Sequence, residues 1–487
     1  MLINENHSKD EEKSETEKLR ESLFMSKKHS ALQMSEEQIN LADDFCEGYK
    51  VFLDVAKTER EAVACAMSMA QKSGFSEFDS NKNYKPGDKV YYVNRGKSIV
   101  LAIIGKKGVK DGAKITVAHI DSPRLDIKPI PLYEASDLAL LKTHYYGGIK
   151  KYQWTTIPLS LHGKIVKKDG SSVDVRIGED ENDPVFCVTD LLPHLAKEQM
   201  TKPLQKAIDA ENLNILVGSR PFKSGKGSEL IKLNIMKILN QKYGIVESDF
   251  LSAELELVPV FKAHDVGFDR SMVGAYGHDD RVCAYPSLMA ILDYSEIPEN
   301  TIITILADKE ETGSDGNTGM KSAFFKYFIE DLASTDKVTC RHVLSNSKCL
   351  SADVNAAFDP TYSSVYDQAN SCYLNNGVVI TKYTGSGGKF DTSDASAEFM
   401  GYVRTFLEKN NILWQTGELG KVDAGGGGTI AKYMANLNVN VVDLGVPVLS
   451  MHAPFEVVSK LDVFMAYKAV FAFFNTCLLY TSDAADE

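Results

Sequence analysis

The residues with the clearest chemical potential lie in Ala307-Asp-Lys-Glu-Glu-Thr-Gly-Ser-Asp-Gly-Asn-Thr-Gly319. Glu310 and Glu311 are adjacent carboxylates, which repel each other unless a cation or a shared proton holds them. Alone, the stretch reads as well as a solvated acidic turn that caps a helix through Asp315 or Asn317. Four other places change that balance. His119 and Asp121 stand two apart in His119-Ile-Asp-Ser-Pro, so an imidazole can bind a metal while Asp121 orients its ring. Asp279 and Asp280 are adjacent at a helix start, Asp353 sits in Ser351-Ala-Asp, and His452 follows Met451. His119, Asp279, Glu310, Glu311, Asp353 and His452 together offer two imidazoles and four carboxylates. That inventory suits two divalent ions sharing a bridging carboxylate, with one carboxylate left as a base. Oxygen donors alone would point to magnesium; the histidines move the expectation to zinc, with manganese or cobalt as alternatives.

Such groups act only if the fold brings them together. Thr301-Ile-Ile-Thr-Ile-Leu306 is rich in β-branched residues and reads as a buried parallel strand, and Met320 to Phe328 as the helix after it. Ala113-Lys-Ile-Thr-Val-Ala118 is a second buried strand, running straight into His119 and stopped by Pro123. Val439 to Leu444 and Val446 to Met451 are further strands, the latter leading to His452. In open α/β sheets ligands sit beyond the carboxyl ends of strands, which is where these residues fall. The spacing from Ser35 to about Ser73 predicts one long helix with its continuation, and 456–475 predicts a closing amphipathic helix. Ala424-Gly-Gly-Gly-Gly-Thr429 lacks the lysine of a P-loop and the spacing of a dinucleotide fingerprint, which excludes an NTPase reading. It reads as close backbone packing around a ligand or a partner strand.

Between residues 129 and 257 the texture changes to short alternating stretches such as Ser172-Val-Asp-Val-Arg-Ile177, separated by Gly and Asp turns such as Gly147-Gly148. This predicts a β-rich insertion in a discontinuous α/β domain of residues 35–128 and 258–476. Insertions of that size carry oligomer contacts or cover a site; His194, in Leu192-Pro-His-Leu195, is the residue singled out there. Residues 1–34 read as a charged tail and 478–487 as a non-native one. At 487 residues the chain exceeds a simple single core, so two units are expected. Its net charge of −13, without a basic stripe, argues against nucleic-acid or anionic-membrane partners. The eight cysteines form no CxxC pair, which favours reduced thiols in a cytoplasm over disulfides or a Cys-ligated zinc. No apolar run approaches a membrane span, and the polar N-terminus does not read as a signal peptide.

His119-Ile-Asp-Ser-Pro, Asp279-Asp-Arg, Asp308-Lys-Glu-Glu-Thr-Gly-Ser, Ser351-Ala-Asp and Met451-His452 together resemble the aspartyl aminopeptidase family, in its order and over residues 35–475. The resemblance implies a zinc-exopeptidase-like α/β/α domain with a central mixed sheet, plus an inserted β-rich dimerisation domain. It implies that His119 and Asp353 complete one metal site, Glu311 and His452 the other, that Asp279 bridges them, and that Glu310 is the general base. Asp121 would hold the ring of His119. His194 matches the position from which a neighbouring subunit reaches the active site, and Lys382 lies near the lysine that meets an acidic substrate side chain. A tetrahedral homododecamer acting on peptides with a free N-terminus, and favouring Asp or Glu there, is the family's expectation. The Asp279-Asp-Arg and Asp308-to-Gly319 forms, with Asp359, resemble the bacterial branch, which differs around the substrate pocket. A leucine-type aminopeptidase, a related dinuclear exopeptidase or deacylase, and a non-catalytic scaffold are the other classes to separate.

Overall fold

The computed structural model describes residues 13–25, 29–223 and 226–476. Its largest sheet has nine strands in the spatial order Ser76–Glu77, Lys89–Asn94, Ser98–Ile103, Ile302–Ala307, Lys114–His119, Lys348–Ser351, Asn440–Gly445, Val378–Thr381 and Trp414–Thr416. The four strands at its centre, from Ile302–Ala307 to Asn440–Gly445, run parallel, and both flanks contain antiparallel pairs. Ser98–Ile103, Lys114–His119 and Ile302–Ala307 are buried at every residue, as strands covered by helices on both faces must be.

Alternation along each strand builds the layers. Ile99, Leu101 and Ile103 point into one apolar cluster, with the helices Glu36–Val55, Glu59–Lys72, His278–Leu292, Ala397–Lys409 and Lys460–Asn475. Val100 and Ala102 point into the other, with Phe324–Thr335, Cys340–Asn346 and Ala431–Asn436. The architecture is therefore α/β/α around a mixed sheet, as the family resemblance implies. The anticipated long helix from Ser35 breaks in two, because Thr58 caps a fresh start, its side chain accepting from the Glu61 N–H.

Residues Arg124 to Pro259 contribute a separate seven-stranded antiparallel sheet with a third apolar cluster centred on Leu125, Trp154, Leu159, Ile215 and Leu257. The helix Leu230–Tyr243 lies against its strands. Nearer the chain start, Glu15–Leu23 is a capped helix that buries no residue. The tail 478–487 lies outside the described residues.

A third, small sheet is the feature the sequence reading lacked. It joins His264–Val266, Met272–Ala275, Glu456–Ser459, Pro447–Leu449 and Asn355–Ala356. The closing helix accordingly begins at Lys460 rather than 456. Glu456-Val-Val-Ser459 is β-branched at its middle and pairs with Met272–Ala275, so the strand partner overrides helical spacing. The helix carrying Asp279 starts just after one of these strands, and His452 lies in the loop between two others. The small sheet thus holds the two together.

Candidate functional site

His119 is the last residue of its strand and is 1% exposed. Its Nδ1 lies 3.0 Å from the main-chain oxygen of Asp121 and 3.3 Å from Oδ1 of the same residue. Donation from Nδ1 leaves Nε2 as a lone pair, 3.1 Å from Asp279 Oδ1 and 3.9 Å from Asp353 Oδ1. His452 repeats the arrangement from the opposite side. Its Nδ1 donates to the Gly148 carbonyl at 2.8 Å, and Nε2 faces Asp279 Oδ2 at 3.1 Å and Glu311 Oε2 at 3.7 Å. One carboxylate, Asp279, therefore has one oxygen on each imidazole.

The frame around these groups is dense. The Asp279 and His452 N–H groups both donate to Glu456, at 3.1 and 2.7 Å. The Glu310 and Glu311 N–H groups donate to the two oxygens of Asp121, at 3.1 Å each, and Tyr146 donates its hydroxyl to Asp121 at 2.7 Å. Asp121 thus fixes the His119 ring and the glutamate turn at once. That turn, Glu310–Thr312, is a 3-10 segment entered through Lys309 at φ +69. The following helix starts at Phe324, four residues later than its apolar spacing suggests. Asp315 pairs with Lys321 at 2.8 Å instead of capping it.

So many buried carboxylates demand positive charge. Burial, only partly offset by His119, pushes Glu310 up to about 8. Burial likewise lifts Asp353 to about 7 and Glu311 well above its ordinary range. Burial opposes protonation of His452, yet the Asp279 hydrogen bond and the Glu311 charge carry it to about 11. Glu311 Oε1 and Asp280 Oδ1 are buried with no hydrogen-bond partner, a costly state unless something else binds them. Ligand atoms of His119, Asp279 and Glu311 lie within 4.8 Å of one another, as do those of His119, Asp280 and Asp353. Two imidazoles and several carboxylates in this spacing fit zinc-type ions.

The cluster opens into a cleft of about 440 Å³, within the range of small-ligand sites. Asp279, Glu310, Glu311, Asp353 and His452 line one side, and the glycine run 426–428 with Lys432, Tyr433 and Asp391 lines another. The sequence model for the family described as "Aminopeptidase I zinc metalloprotease (M18)" matches residues 52–474. The chain belongs to the M18 aminopeptidase family. It is 53% identical to the probable M18 family aminopeptidase 1 of Clostridium acetobutylicum over 435 residues, covering 88% of this chain and 93% of that one. A solved M18 aminopeptidase from Thermotoga maritima superposes with a TM-score of 0.89 at 44% identity, covering 93% of this chain and all of that one. The mApe1 of S. cerevisiae, solved as a dodecamer, shares the fold at a TM-score of 0.72 and 22% identity, over 89% of this chain and 97% of that one. This M18 aminopeptidase is a metal-dependent hydrolase of the bacterial branch.

Of the residues singled out in the sequence, His119, Asp121, Asp279, Glu310, Glu311, Asp353 and His452 meet in one place. His194 does not join them within the chain; it is exposed on the antiparallel-sheet unit, beside the exposed Leu192 and Leu195. Lys382 is also absent from the cleft lining and forms an ion pair with Asp394. Asp280, Glu456 and Gly148 were missed as site residues. Asp280 had a visible signal, its adjacency to Asp279; Glu456 and Gly148 had none, since pairing across the small sheet and the long connection places them.

Proposed function

We propose that this M18 aminopeptidase removes the N-terminal residue from peptides with two divalent ions per subunit, zinc by preference. The observation that carries the proposal is the Asp279 carboxylate, 3.1 Å from both imidazoles through its two oxygens. His119, Asp353 and Asp279 would hold one ion and Glu311, His452 and Asp279 the other, with Asp280 buried behind the first. When bound, the ions would polarise the scissile carbonyl and lower the pKa of an attacking water.

Glu310 is the general base in this reading. It faces the cleft, and its main chain is fixed by Asp121. It takes the proton of the attacking water and returns it to the leaving amine. A carboxylate of the cleft receives the free α-ammonium, which restricts cleavage to the first residue.

An acidic N-terminal residue as preferred substrate also belongs to the proposal, as does a tetrahedral homododecamer in the cytoplasm. The exposed Leu191, Leu192 and Leu195 beside His194 support a subunit interface there, with His194 directed to a neighbour's cleft. The dodecamer of the yeast neighbour points the same way. The seven described cysteines are free, in keeping with a reducing compartment. Among the described residues no helix is long and apolar enough to cross a membrane. A leucine-type preference is the second reading, favoured by one observation: Asp394 neutralises Lys382, the residue expected to meet an acidic side chain.

The test is a rate panel of Asp, Glu, Leu, Lys and Ala chromogenic substrates with the metal-loaded protein, repeated after chelation. Chelator-sensitive cleavage led by Asp and Glu supports the full proposal. Cleavage led by Leu moves it to the neutral branch. Cleavage of none sinks the aminopeptidase mechanism in favour of a deacylase or scaffold.

A further inference from the structure

The cleft that holds the carboxylate cluster has one lysine or arginine on its lining among the described residues, Lys432. It sits one residue into the short helix Ala431–Asn436 that follows the glycine run. Its ammonium is ion-paired with Asp391, which lines the same cleft from the loop after Val378–Thr381. The two partners differ in accessibility: the Lys432 side chain is 24% exposed, that of Asp391 77%. An exposed carboxylate on a half-buried ammonium is the partner that can be exchanged, because a solvent-exposed ion pair adds little net stability.

The surrounding chain is built to bring these loops together. Gly426 has φ +113, and a Cβ on it would lie 1.8 Å from the Gly385 carbonyl. The Gly385 N–H donates to the Gly427 carbonyl at 2.6 Å. The glycine run therefore lets the two loops share one rim, one carrying Asp391 and the other leading to Lys432. The Tyr433 hydroxyl anchors the helix across the cleft by donating to the Gly313 carbonyl at 3.1 Å, in the turn that carries Glu310 and Glu311.

We infer that Lys432 is the specificity-determining cation of the cleft, receiving a substrate carboxylate that displaces Asp391 from it. The inference rests on the aminopeptidase reading and assigns to Lys432, rather than to Lys382, the contact with an acidic substrate. The ordinary counterpart of Lys382 is Asp394, and neither of those residues lines the cleft. The displaced Asp391 faces solvent, so releasing it leaves no buried charge unpaired. A substrate carboxylate has two sources, the side chain of an N-terminal Asp or Glu and the free C-terminus of a dipeptide.

The experiment compares kcat/KM in matched pairs on the metal-loaded enzyme. Glu against Leu aminoacyl p-nitroanilides tests the side chain, and Leu-Gly against Leu-Gly amide tests the C-terminus. In Lys432→Met the ratio of acidic to neutral substrate should fall at least tenfold in one pair, mainly through KM, and Lys432→Arg should retain it. Asp391→Asn should raise the same ratio severalfold. A merely structural role for the pair would lower both members together and leave the ratios alone. Ratios within twofold of the parent in both pairs, with substrates still cleaved, overturn the inference alone. A parent enzyme that cleaves none of the four substrates overturns the aminopeptidase reading and the inference with it.

Discussion

The Asp121 carboxylate accepts the main-chain N–H of Glu310 at 3.1 Å, so the strand that ends in His119 also sets the position of the glutamate turn. A second N–H, from Glu311, binds the other oxygen. Replacing Asp121 with Asn puts an amide group where one of these N–H donors needs an acceptor. The expected result is about a 10- to 100-fold loss of activity or metal affinity, with the chain still folded. Titration of the metal-free variant with zinc, followed by rate measurement, checks this. Unchanged zinc affinity and rate would remove Asp121 from the site's support.

Glu310→Gln is isosteric and removes only the base. It should keep both ions and lose about three orders of magnitude in kcat, as measured by metal analysis and steady-state kinetics on one preparation. Near-normal turnover would refute the base assignment.

His452→Ala should behave in the opposite sense. It deletes a nitrogen that faces both Asp279 and Glu311, so bound metal should fall toward one ion per chain and activity with it. Elemental analysis after dialysis provides the number; two retained ions would exclude His452 as a ligand.

Metal removal should also soften the fold. Glu311 and Asp353 are buried carboxylates whose protonation is favoured by burial when no cation is present. An ion at about a thousand times its Kd stabilises by about 4 kcal/mol. The melting temperature should therefore drop on chelation and recover on adding zinc, readable by calorimetry.

A separate pH dependence is expected from His162, on the antiparallel sheet. Burial works against its charged form, but hydrogen bonds to Glu179 and Glu61 leave its pKa raised overall. Ser160 Oγ also contacts the ring, and Lys57 and Lys262 face Glu179. A raised folded-state pKa means the stabilisation is complete below the unfolded value, about 6.5, and is lost as pH rises through the folded one. The melting temperature should decline over that upper window, and His162→Gln should flatten the decline. Parallel curves for the two proteins would dismiss the linkage.

Most of the site was legible because its residues stand where buried β-branched runs stop. Ile302–Ala307 and Lys114–His119 announce themselves by composition, and the polar residues after them can only emerge at one sheet edge. Asp353 was legible only as a carboxylate in Ser351-Ala-Asp, because the strand Lys348–Ser351 before it has no β-branched residue to announce it. The small sheet was not legible. Its strands are three or four residues long apart from Asn355–Ala356, which has two, and such pieces have no periodicity of their own. Glu456 consequently looked like the start of a helix rather than the acceptor for Asp279 and His452. The Lys432–Asp391 pair was equally invisible, since an ion pair between a helix and a loop, its partners 41 residues apart, is set by tertiary packing. Gly147-Gly148 looked like hairpin punctuation because no local signal distinguishes a turn glycine from one that must admit a ring.

That second glycine has a wider meaning. Gly148 belongs to the long excursion between Arg124 and Pro259, yet its carbonyl aims the His452 ring, and a Cβ on it would lie 3.2 Å from the ring's Nδ1. The excursion is therefore not an accessory that could be trimmed from a self-sufficient enzyme. A shortened chain lacking it would keep every imidazole and carboxylate of the cluster and still lose the tautomer of one histidine. Motion of the excursion, whatever its source, would be transmitted to catalysis through the Gly148 carbonyl on His452 and the Tyr146 hydroxyl on Asp121.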